Sequence, residues 1–122
     1  MRNTKLQYIS IVTIALLSTL FIFNSCKHEG IPADQLPPVP FSKVQVIFSI
    51  YCGGCHDGKS DETRYNFNDA NSIINSVVPY NSAKSKPYKA MISTFQVMPP
   101  DRYMPTSDKT LIRIWIDQGA KQ

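Results

Sequence analysis

Fifteen consecutive uncharged residues, Ile9 to Phe23, follow a short positive stretch, Met1-Arg-Asn-Thr-Lys5, and take the front of the chain out of any globular fold. A bilayer span needs about 20 apolar residues, so this run is short for a permanent transmembrane helix and suits the apolar core of an export signal. Behind it, residues 27–40 hold Pro32, Pro37, Pro38 and Pro40 without helical or strand periodicity, which reads as an extended, partly polyproline-like tether. Of 122 residues, about eighty are then left to fold. A core of that size is marginal unless disulfides, a metal or a large buried cofactor add to it. A multidomain enzyme is excluded. The formal charge of +4 includes Arg2 and Lys5; without them 11 basic residues face 9 acidic ones, with no basic stripe or run, so nucleic acid is not an expected partner.

The apolar run ends in Asn24-Ser25-Cys26, which resembles the lipobox of bacterial lipoproteins, in which the cysteine is acylated and becomes the mature N-terminus. Phe23 stands three residues before Cys26, where the stricter pattern has leucine. The resemblance implies lipidation of Cys26, an anchor of several acyl chains, and an extracytoplasmic location at a membrane face. The expected organisation is a signal peptide over 1–25, a lipidated cysteine and tether over 26–40, and one domain over 41–122. An uncleaved anchor helix is the alternative.

The most informative residues are Cys52-Gly-Gly-Cys55-His56. Cys-x-x-Cys-His is the attachment signature of c-type haem: a helical turn sets both thiols on one face, where each adds across a vinyl group, and the adjacent imidazole reaches the iron. With 3 Cys and 2 His in 122 residues, shuffling yields the pattern in about one chain per thousand, so coincidence is a poor account of it. A thioredoxin-like redox pair requires a βαβ scaffold that some eighty proline-interrupted residues do not supply. Structural zinc requires four ligands, and the only other Cys and His, Cys26 and His28, lie in the lipobox and tether. A plain Cys52–Cys55 disulfide is allowed in this compartment but leaves His56 without a role.

If His56 holds one face of the iron, the other needs a second ligand. His28 sits in the tether, which leaves methionine, whose thioether raises the reduction potential. Met91 lies in an apolar helical run and reads as core. Met98 and Met104 both precede proline in the loop leading to the last helix, where prolines pre-organise a thioether. Met98 is the expected ligand, because Met104 stands three residues before Ser107 with little slack; Met104 is the alternative.

The motif Cys52-Gly-Gly-Cys-His56, the segment Val77 to Met91, Met98-Pro-Pro, and Leu111-Ile-Arg-Ile-Trp-Ile-Asp-Gln-Gly-Ala120 together resemble a small class I cytochrome c domain, over about two-thirds of the chain. The resemblance is nearest to variants with a Met-Pro-Pro ligand loop and a last helix ending Trp-Ile-x-x-Gly-Ala. It implies an all-α fold of about four short helices around one covalent haem c. In it, the first and last helices cross beside the haem, Cys52 and Cys55 form the thioethers, and His56 and Met98 are the axial ligands. Many class I domains carry a proline soon after the histidine; none occurs here between Asp57 and Val78, which leaves the outer partner of His56 unassigned.

Four helices are expected: one from Phe41 with Ser42 as its cap, one over 69–78, one from Tyr88 to Thr94 with Pro87 in its first turn, and a last one capped by Ser107 and stopped by Gly119. Residues 57–68 read as a polar surface loop. Arg102 and Tyr103 are candidates for a propionate contact, or simply solvated. The expected function is one-electron transfer to redox partner proteins, not catalysis, since an iron closed on both faces leaves no open position. The alternatives are a sensor in which methionine yields to a small ligand, and the haem subunit of a larger surface complex.

Overall fold

Proline sets the start of both long helices. The computed structural model describes residues 3–4, 7–14, 31–59 and 65–122, in two units divided after Gly30. In the first unit residues 7–14 are helical and exposed, and among the described residues no helix is long and apolar enough to cross a membrane. Cys26 and His28 lie outside the described residues.

The second unit is all-α: α1 (Phe41–Tyr51), α2 (Ala70–Ser76), α3 (Lys86–Ile92) and α4 (Thr106–Asp117), with single 3-10 turns at Ala33–Gln35 and Ser82–Lys84. Among the described residues the only β pairing is an isolated bridge between Asp57 and Asn66. Pro40 and Pro105, both extended at ψ 137° and 146°, take the N-cap positions of α1 and α4. Ser42 and Ser107 therefore fall inside their helices and cap nothing, contrary to expectation. In α2, Asp69 caps by accepting the Ser72 N–H at 2.8 Å. The third helix begins before Pro87 and ends at Ile92, short of the expected Thr94. Gly119 ends α4 at φ +105°, with Ala120 N–H donating to the Trp115 carbonyl at 2.9 Å and Gly119 N–H to that of Ile116 at 2.9 Å, a Schellman closure.

Each long helix turns one stripe inward. Phe41, Val44, Ile47 and Phe48 from α1 meet Ile112, Trp115 and Ile116 from α4, all buried. The Phe41 and Trp115 rings lie 5.6 Å apart. Ile73, Val77, Met91 and Met104 complete the core with Phe67.

The proline-rich segment departs from its expected free course. The Gln118 amide at the end of α4 donates to the carbonyls of Ala33, Leu36 and Pro37 at 3.0, 3.2 and 3.1 Å, while its oxygen accepts the Val39 N–H at 2.9 Å. The two amide hydrogens are shared among the three carbonyls, so one side chain ties residues 33–39 to the end of α4, and the compact unit takes in the chain from Ile31.

Candidate functional site

The last turn of α1 delivers Cys52 directly. Its N–H donates to the Phe48 carbonyl at 2.8 Å, and the chain then tightens so that the Cys55 and His56 N–H groups both reach the Cys52 carbonyl, at 3.2 and 2.9 Å. This closed turn sets Cys52, Cys55 and His56 on the wall of a cavity of about 460 Å³. The same wall includes Pro87, Ala90 and Met91 of α3, Met98, Pro99, Pro100 and Arg102 of the following loop, and Tyr65 and Phe67. The lining is largely apolar, with a few polar groups among it, the usual character of a cofactor site of ~300–1,000 Å³.

Both thiols are free. Cys55 is exposed; Cys52 is buried, and that burial, reinforced by the neighbouring Cys55 and opposed by Arg102, pushes its thiol up to about 11. The His56 ring stands edge-on to Phe67 at 5.2 Å, and its Nδ1 is buried with no hydrogen-bond partner among the described residues.

The structure separates the three methionines. Met98 lines the same cavity as the Cys-x-x-Cys-His turn and is 39% exposed; its N–H donates to the Ala90 carbonyl at 3.0 Å, and the Met98–Pro99 bond is cis. Met91 is a core residue that also touches the cavity wall. Met104 is buried at 2% exposure in the core and is not on the cavity wall. Of the two propionate candidates, Arg102 lines the cavity whereas Tyr103 is 78% exposed and does not.

Phe67 is the residue the sequence reading missed. It lies inside the stretch taken for a polar surface loop, yet it is 4% exposed, packs on Phe48 at 5.0 Å and Tyr65 at 5.6 Å, and its N–H donates to the His56 carbonyl at 2.8 Å. The available signal was the pair Tyr65-x-Phe67, two aromatics on alternate positions in an otherwise polar run.

No family model, no curated protein and no solved structure matches this chain. The functional reading therefore rests on the residues and their arrangement.

A macrocycle attached through two thiols needs a largely apolar cavity that also offers a nitrogen ligand and a second donor. Cys52, Cys55, His56 and Met98 all line one such cavity and supply those donor types, and an imidazole is the conventional nitrogen donor for iron.

Proposed function

We propose that this chain is a mono-haem c-type cytochrome with the class I fold, held at a membrane face by lipidated Cys26 and carrying one electron at a time between redox partner proteins. The observation that carries the reading is the convergence of Cys52, Cys55, His56 and Met98 on a single cavity with a largely apolar lining. Haem c, when bound, supplies one-electron exchange at its iron. Cys52 and Cys55 would hold it covalently, and His56 and Met98 would be the ligands to its iron. Phe67 fixes the His56 ring from its edge, and Pro87, Ala90 and Met91 keep water from the slot.

The exposure of Met98, at 39%, favours one second reading. A thioether on a solvent-facing loop would be a weak ligand, and a domain built on it would suit small-ligand sensing rather than electron carrying. Redox partners, in either case, meet it on the extracytoplasmic side.

The deciding experiment is an optical spectrum, oxidised and reduced, of the full chain made with a c-type haem maturation system. Covalent haem with the weak far-red band of a methionine-ligated ferric iron is the expected result, together with slow carbon monoxide binding by the reduced protein. Covalent haem without that band moves the reading to sensing, and no covalent haem refutes it. Met98→Ala abolishes the band and leaves folding nearly intact. Met104→Ala keeps the band and lowers stability by about 2–5 kcal/mol, the cost of emptying a buried methionine site.

A further inference from the structure

The loop forming the outer wall of the cavity is fastened at both ends, and the two fastenings differ in kind. At its start the Met98 backbone N–H donates to the Ala90 carbonyl of α3 at 3.0 Å. Four residues later the Arg102 guanidinium donates through Nη1 to the Ile50 carbonyl of α1 at 3.1 Å. Pro99 and Pro100 lie between, and neither has an amide hydrogen to offer. The loop thus runs from α3 to the helix that leads into Cys52, and its second fastening depends on a side chain alone.

Ile50 is a good place for that fastening. The carbonyls of Phe48 and Ser49 accept from Cys52 and Gly53, but Ile50 lies in the last turn, where helix carbonyls lack partners inside the helix. Those carbonyls carry the negative end of the helix dipole, which favours a cation. The ion pair of Arg102 with Asp101, at 3.6 Å and more than half exposed, contributes little.

The same geometry argues against Arg102 as a propionate ligand. Thioether bonds would hold the vinyl side of a macrocycle at Cys52 and Cys55, with its propionates on the side away from them. The Arg102 guanidinium is instead committed to the carbonyl of Ile50, two residues before Cys52.

We propose that Arg102 is a positioning residue that latches the Met98 loop to α1 and so sets how often the thioether leaves the iron. The proposal rests on the carrier reading above, and it identifies what separates a carrier from a sensor in this chain.

The test uses the haem-loaded full chain as wild type, Arg102→Ala, Arg102→Lys and, as a charge control on an exposed site of α3 outside the loop, Lys89→Ala. The readout is the limiting rate at saturating ligand of carbon monoxide binding to the reduced protein and of imidazole binding to the oxidised one, both governed by departure of the thioether. Arg102→Ala is expected to raise both rates about fivefold while keeping the far-red band at rest; Arg102→Lys falls between, and Lys89→Ala matches wild type. Rates for Arg102→Ala equal to wild type, or an equal rise in Lys89→Ala, overturn the latch. If the wild type takes up no covalent haem, the carrier reading fails. The latch is then read by amide exchange over residues 98–104 of the full chain, where faster exchange in Arg102→Ala supports it and unchanged exchange overturns it.

Discussion

Gly53 and Gly54 are interchangeable letters in the Cys-x-x-Cys-His motif and are not interchangeable in space. A side chain at Gly53 would collide with Asn68, whose amide donates to the Gly53 carbonyl at 2.9 Å and whose oxygen accepts from the Ser49 hydroxyl at 3.1 Å. At Gly54 nothing lies within 4 Å. Gly53→Ala is therefore expected to cost about 1–3 kcal/mol in urea unfolding, against less than about 0.5 kcal/mol for Gly54→Ala. Cys52 supplies a pH signature at the same scale. Its thiol is raised from 9.0 to about 11 in the folded chain, chiefly by desolvation, so between those values the folded state keeps a proton that the unfolded state has lost. Stability of the haem-free chain is then level below pH 9 and falls as pH rises toward 11, by at most about 1.4 kcal/mol per pH unit. Tyr51, raised above 10 by desolvation and by its hydrogen bond to Asp108, acts in the same direction, so Cys52→Ser isolates the thiol. A thioether has no proton to lose, and covalent haem is expected to abolish the Cys52 part of the fall; a pH profile of melting temperature checks both.

At the scale of elements, Gln118 decides where the domain begins. Its four hydrogen bonds reach back 79 to 85 residues to the segment before α1. Gln118→Ala leaves the Val39 N–H and the Leu36 and Pro37 carbonyls to water, and is expected to raise amide exchange over residues 33–39 at least tenfold while the α1 and α4 cores stay protected; equal exchange in both proteins would show that the prolines alone hold the segment. Nothing in the sequence announced this contact, because a side-chain amide meeting backbone carbonyls more than seventy residues away has no local pattern. The helices were legible for the opposite reason: Val44, Ile47 and Phe48, or Ile112, Trp115 and Ile116, repeat at helical spacing on their own elements. Their starts were less so, since Ser42 and Ser107 are good caps by type and the prolines before each helix already held the capping position. The candidate site divides the same way. Cys52, Cys55 and His56 stand within one pentapeptide and could be read directly, and Met98 was expected from the loop prolines, whereas Phe67 is joined to the site by its N–H bond to the His56 carbonyl, which no local pattern signals.

For the whole molecule the question is what makes so small a core sufficient. The aromatic and aliphatic residues of α1 and α4 bury one another at the end of the fold where Phe41 meets Trp115. At the other end, Ile50, Tyr51, Pro87 and Met98 line a cavity of about 460 Å³ instead of closing on each other. Apolar walls of this kind gain dispersion contacts and lose exposed hydrophobic surface when a ligand packs against them. On the proposed reading a flat aromatic cofactor would supply both, and two covalent attachments would prevent its loss. The proposed function and the fold would then be linked, because the cofactor would complete the core beside Cys52. Covalent haem is accordingly expected to raise the melting temperature of the full chain by more than about 10 °C, since a shift of 1 kcal/mol moves a domain of 60–100 residues by about 4–8 °C. Calorimetry of the full chain made with and without haem maturation measures this. Equal melting temperatures, with haem attached, would mean that the cavity walls gain nothing from the macrocycle and that the slot between Cys52 and Met98 is not where it lies.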